Sequence, residues 1–226
     1  TAFSAISSTV TLPPDLPAAP TGFAGAAQNA DSILWSWTDN AYNEVGYRVM
    51  SGTTNFSGDL APGTSNWLQM GLSSNTLYGP LHAQVFNAGG ASNSSVSSRY
   101  TLAAAPSSLI ATTASSTTIT VSWSGNGNPG GTLYELQGST NSLAFAWLSS
   151  GTATSFTDGG LSPLTTHYYQ VRAINDDGLA TTFSAISSTV TLPPDVPIAP
   201  TGFAGAAQSA GSILWSWTDN ASNENG

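Results

Sequence analysis

Ser32-Ile33-Leu34-Trp35-Ser36-Trp37 carries a large apolar side chain at every second position, Ile33, Trp35 and Trp37. In an extended chain successive side chains point to opposite faces, so these three share one face, the pattern of a half-buried β-strand. Thr118-Ile119-Thr120-Val121-Ser122-Trp123 repeats the pattern with Ile119, Val121 and Trp123. Tyr47 and Val49, then Tyr134 and Leu136, predict the strands that follow, and Tyr169, Val171 and Ala173 alternate up to the turn Asn175-Asp176-Asp177-Gly178. Gly and Pro punctuate the chain at short intervals, and no segment carries a helix-length apolar stripe. Short strands bounded by regular turn signals predict an all-β protein built of sandwiches.

The chain also repeats itself. Residues 1–46 return as 181–226 without a gap, and 39 of the 46 positions are identical. The seven differences are Ala2/Thr182, Leu16/Val196, Ala18/Ile198, Asn29/Ser209, Asp31/Gly211, Tyr42/Ser222 and Val45/Asn225. Matching extends to positions expected on the surface, so recent duplication explains it better than packing. A weaker repeat lies inside this period of 180 residues: Pro20, Pro106 and Pro200 open three units, and Trp37, Trp123 and Trp217 mark equivalent places in them. The repeating element is thus a pair of divergent units, the mark of a tandem array.

Trp37-Thr38-Asp39-Asn40-Ala41-Tyr42-Asn43-Glu44-Val45-Gly46-Tyr47-Arg48-Val49 resembles the B–C region of bacterial fibronectin type III domains. The run from Leu161 through Tyr168 and Tyr169 to Asn175 resembles that family's E–F corner and F strand. Pro20 and Pro106 sit where its A strand begins. The resemblance covers the whole chain and implies tandem immunoglobulin-like β-sandwiches. His167 stands where the family often has its corner tyrosine, whereas Leu72, Thr76 and Tyr78 keep the corner spacing. Gly79-Pro80 then predicts a bulge before Leu81, Ala83 and Val85 resume the alternation.

Boundaries follow from these marks. Residues 1–17 read as the last strand of a preceding unit plus a stiff linker, Pro13-Pro14-Asp15-Leu16-Pro17. Residues 18–104 and 105–193 read as two fibronectin type III-like domains, held nearly end to end by the short link Ala103-Ala104-Ala105-Pro106. Residues 194–226 read as a second linker, Pro193-Pro194-Asp195-Val196-Pro197, with the first strands of a third domain.

Composition excludes several functions. Charged residues make up 7% of the 226, with no lysine, three arginines and a net charge of −9, against about 25% charged in an ordinary soluble domain. Three scattered arginines, Arg48, Arg99 and Arg172, do not make a nucleic-acid surface. No apolar run approaches the roughly 20 residues of a membrane-spanning helix. With no cysteine, disulfides and thiolate chemistry are excluded. A surface of Ser, Thr, Asn, Gly and Ala lacks charge-based solubility, so it is expected to carry glycans or to be covered by lateral packing.

The oxygen-rich loop Asp39, Asn40, Asn43, Glu44, repeated as Asp219, Asn220, Asn223, Glu224, holds ligand types that suit calcium. The same side chains tie turns to their own backbone, and that reading is preferred. His82 and His167 are expected to be satisfied strand histidines, since no partner motif accompanies them. Trp35, Trp37, Trp67, Trp123 and Phe156 are expected in cores, and Trp147 at a half-exposed edge. Asn55-Phe56-Ser57, Asn93-Ser94-Ser95 and Asn220-Ala221-Ser222 match the acceptor pattern for N-glycosylation. No catalytic, cofactor-binding or metal-binding residues are assigned, and no cofactor is expected. The expectation is a non-catalytic structural repeat of a secreted or cell-surface fibre or stalk. Its partners would be copies of itself and covalent glycans, with no nucleic acid and no membrane span. An adhesion or glycan-binding module, or a spacer attached to a secreted carbohydrate-active enzyme, is the alternative.

Overall fold

The computed structural model describes residues 12–222. The terminal strand expected within residues 1–11, and Asn223 and Glu224 of the repeated loop, lie outside them.

The first unit contains β1 (Thr21–Asn29), β2 (Ser32–Thr38), β3 (Gly46–Ser51), β4 (Thr54–Asn55), β5 (Asn66–Gln69), β6 (Leu77–Asn87), β7 (Gly90–Asn93) and β8 (Ser97–Tyr100). One antiparallel sheet runs β1-β2-β5 and the other β4-β3-β6-β7, with β8 also paired to β6. Phe23, Ile33, Trp35 and Trp37 face Tyr47, Val49, Leu81, Ala83 and Val85 between them, as the alternation predicts. Phe23 stacks on Trp35 with ring centroids 5.3 Å apart. Buried tryptophan needs a partner for its N–H, and Trp35 Nε1 donates to Gln69 Oε1 at 2.9 Å. Gly25, opposite Trp35 in register, leaves room for the indole: a Cβ there would stand 2.8 Å from Cζ3. The expected irregularity at Gly79-Pro80 is a register shift between Tyr78 and Leu81 in the pairing of β6 with β8.

The second unit contains β9 (Ser107–Thr113), β10 (Thr118–Ser124), β11 (Leu133–Ser139), β12 (Ala146–Gly151), β13 (Ser155–Gly159), β14 (Thr166–Ile174) and β15 (Ser187–Val190). Its sheets run β13-β10-β9 and β12-β11-β14-β15. Ile119, Val121, Trp123, Tyr134, Leu136, Tyr169, Val171 and Ala173 fill the space between them. Ala103 packs into this second core although it precedes β9.

Among the described residues, β16 (Thr201–Ser209) and β17 (Ser212–Thr218) pair only with each other. Their register copies that of β1 and β2, with Gly205 opposite Trp215 where Gly25 lies opposite Trp35. The face they present is open: Trp215 is 52% exposed whereas Trp35 is 0% exposed. In the first unit the opposing sheet covers the matching positions Phe23, Ile33, Trp35 and Trp37. Covering Phe203, Ile213, Trp215 and Trp217 would contribute about 1.5–3 kcal/mol for each fully buried aliphatic or aromatic side chain.

Candidate functional surfaces

The loop between β2 and β3 spends its polar side chains on its own backbone and on neighbouring segments. Asp39 Oδ1 accepts from Ala41 N at 2.9 Å and from the Tyr47 hydroxyl. Asn40 Nδ2 donates to Ala19 O at 2.9 Å and to Thr21 Oγ1 at 3.0 Å. Glu44 Oε1 accepts from Gly63 N at 3.1 Å. The turn-tying reading therefore accounts for most of this loop's oxygens, leaving Asn43 Oδ1 and Glu44 Oε2 enclosed without a partner. The repeat behaves alike, with Asn220 Nδ2 donating to Ala199 O and Thr201 Oγ1, both at 3.0 Å. Among the described residues no group of three or more His, Cys, Asp and Glu side chains is placed to hold a metal ion.

The histidines depart from expectation. Both are buried, yet the Nε2 atoms of His82 and His167 have no hydrogen-bond partner. Desolvation lowers the pKa of His82. His167 occupies the corner position, where Tyr78 of the first unit accepts a hydrogen bond from Ser73 N at 2.8 Å. An imidazole is shorter than a phenol and does not make the corresponding bond. His167 instead lines a cavity of about 310 Å³ with Ser139, Ala144, Leu148, Asp158 and Leu161. Nothing in the sequence placed Asp158 beside His167, because they lie on opposite sheets.

A Tyr–Asp pair in each unit was equally invisible in the sequence. The Tyr47 hydroxyl donates to Asp39, and that of Tyr169 to Asp158 Oδ2 at 2.9 Å. Both tyrosines are fully buried. Burial first, then the adjacent carboxylate, raises each phenol's pKa far above the ordinary value.

The glycosylation candidates differ in geometry. Asn55, Asn93 and Asn220 are all exposed. Asn220 Nδ2 is held by the two bonds above, and Asn55 Nδ2 donates to Asp59 Oδ1 at 3.2 Å. Asn93 engages only its oxygen, which accepts from Gln84 Nε2 at 3.0 Å. Trp147 on β12 is 63% exposed, at the sheet edge as expected. Trp67 and Phe156 pack against the two cores.

All three arginines are paired: Arg48 with Asp59 at 2.5 Å, Arg99 with Asp177 at 3.1 Å and Arg172 with Glu135 at 2.6 Å. Arg48 also lies over the Phe86 ring and Arg172 over Phe183. Among the described residues no helix is long and apolar enough to cross a membrane.

No protein-family model and no curated protein sequence matches the chain. Solved structures do match. A two-domain fibronectin type III segment from chicken tenascin superposes with a TM-score of 0.53 at 12% identity, over 76% of this chain and 99% of that one. The FN1-FN3 domains of chicken CNTN1 match at 16% identity over 89% of this chain and 75% of that one, with a TM-score of 0.40. FN3tt matches at 22% identity over 40% of this chain and 95% of that one, with a TM-score of 0.35. The three-strand sheet facing a sheet ordered β12-β11-β14-β15, the related pairing in the first unit and the tenascin likeness lead to one conclusion: β1 to β15 carry the fibronectin type III β-sandwich fold twice in tandem.

Proposed function

We propose that this chain is a non-catalytic structural repeat of a secreted or cell-surface fibre or stalk, made of units at 18–104 and 105–193 with a further unit beginning in 194–226. The carrying observation is the return of 39 in 46 residues after 180. The low charge suits lateral packing of copies or a cover of covalent glycans, with Asn93 the acceptor whose amide nitrogen is unengaged. Electron cryo-microscopy of the native material tests this. Ordered filaments with a 180-residue axial unit are expected, and single flexible strings of beads would overturn the fibre reading.

A second reading, a glycan-binding module, draws on Trp147 standing exposed at the sheet edge on β12. Exposed aromatic rings stack on sugar faces. Quenching of Trp147 fluorescence by oligosaccharides, absent in Trp147→Ala, would favour it over the fibre.

A further inference from the structure

Each sandwich receives the incoming chain in the same way. Asn175, at the end of β14, donates through Nδ2 to Thr101 O at 2.9 Å. Asn87, at the matching end of β6, donates through Nδ2 to Asp15 O at 2.8 Å, and Asn43 Nδ2 adds a second bond to that carbonyl at 2.9 Å. Thr101 lies five residues before Pro106 and Asp15 five before Pro20, so the captured carbonyls are equivalent.

The consequence differs between the two places. Thr101 still belongs to the first sandwich: its N–H donates to Thr76 O at 3.1 Å and its hydroxyl to Ser73 O at 2.6 Å. Capturing Thr101 therefore brings the whole first sandwich against the second. Thr191 makes the matching anchor in the second sandwich, donating to Thr165 O at 3.1 Å and Ser162 O at 2.7 Å. There the residue equivalent to Asp15 is Asp195, four residues further on, or about 12 Å of extended proline-rich chain. Among the described residues no hydrogen bond joins the second sandwich to β16 or β17.

One side chain completes the contact between the first two sandwiches. Asn75 is 4% exposed and has a φ of 42°, a left-handed conformation that asparagine tolerates. Its Nδ2 donates to Thr132 Oγ1 at 2.9 Å, and its Oδ1 accepts from Asp176 N at 2.8 Å. Tyr100 N donates to Asp177 Oδ2 at 3.2 Å, Arg99 pairs with the same carboxylate, and Ser74 Oγ donates to Gly127 O at 3.1 Å. The corresponding corner of the second sandwich has the same backbone form but carries Leu164, with a φ of 56° and an exposed side chain. Leucine offers no donor or acceptor for a following unit.

We propose that the end of each sandwich bearing Asn87 or Asn175 is a docking surface for an upstream chain, and that Asn75 makes the first docking a fixed joint. The two sandwiches then move as one body. This holds for the protein in solution whether or not the native material is filamentous.

The test uses the full 226-residue chain, whose lack of cysteine allows selective labelling. Spin labels at Thr54→Cys and Ser150→Cys, both exposed and one on each sandwich, report the inter-sandwich distance by pulsed electron resonance. A single narrow distribution is expected. Asn75→Leu, the residue the second sandwich itself carries at this corner, should broaden it and speed hydrogen exchange at the Asp176 amide, with exchange at Val49 and Val171 unchanged. Thr132→Val, removing the acceptor from the other side, should act in the same direction. A broad distribution in the parent chain would overturn the proposal. So would a distribution that stays narrow in both variants.

Discussion

Raising the pH should destabilise both sandwiches through their buried tyrosines, and Tyr47 offers the cleanest test. In the folded chain its phenol is enclosed and donates to the Asp39 carboxylate, so it keeps its proton well above the ordinary tyrosine pKa of about 10. The unfolded chain releases that proton near the ordinary value. Stability is therefore complete below about pH 10 and falls as pH rises beyond it, by about 1.4 kcal/mol per pH unit for each such tyrosine. Between pH 9 and pH 11.5 the loss from Tyr47 amounts to about 2 kcal/mol. Tyr47→Phe has no proton to release, but it gives up a hydrogen bond to a charged group worth about 1.5–3 kcal/mol. The variant should be less stable than the parent at pH 9, and the gap should close by about 2 kcal/mol at pH 11.5. Urea unfolding followed by tryptophan emission, at both pH values, measures this. A gap that is the same at both would refute the argument, because it would mean that Tyr47 ionises alike in the two states.

Acid should act on the first sandwich through His82, whose pKa burial lowers: stability is held above about pH 6.5 and lost as pH falls. His82→Leu should flatten that decline in a pH series of thermal melts. Gly46→Ala would place a Cβ 2.3 Å from the Leu60 carbonyl oxygen, within the Tyr47–Leu60 bridge. Such overpacking should cost about 1–3 kcal/mol in chemical unfolding, and an unchanged midpoint would contradict the close approach. Arg172→Gln breaks a partly exposed ion pair with Glu135 and should cost less than about 1 kcal/mol in the same assay. If sugars are attached, peptide mass mapping should find them at Asn93 ahead of Asn220, whose amide nitrogen already holds Ala199 and Thr201.

Strand positions were legible because alternation is a local property: one face of Ser32–Thr38 is apolar whatever lies across from it. The bulge at Gly79-Pro80 could be read for the same reason, since a proline cannot supply the N–H that the ladder needs. The tandem order came from the 180-residue return, a comparison of the sequence with itself. What covers a face is a different matter. The segment Ser-Ile-Leu-Trp-Ser-Trp stands buried in β2 and open in β17, although its residues and its register with the preceding strand are the same in both. Burial there is decided by strands that arrive from far along the chain.

The polar partnerships belong to that second category. Asp39 and Tyr47 are close in sequence, but Asp158 and Tyr169 meet only because two sheets close on each other. Asn75 and Asp176 meet only because two sandwiches do. From sequence, Asn75 is a polar residue in a turn, and Leu164 is its apolar counterpart at the second corner. Sequence by itself determined that the chain is all-β, modular and repeated, because those properties follow from residue periodicity and self-similarity. Only the tertiary structure decided which of two near-equivalent corners locks to its neighbour, because a hydrogen bond depends on where its partner stands in space.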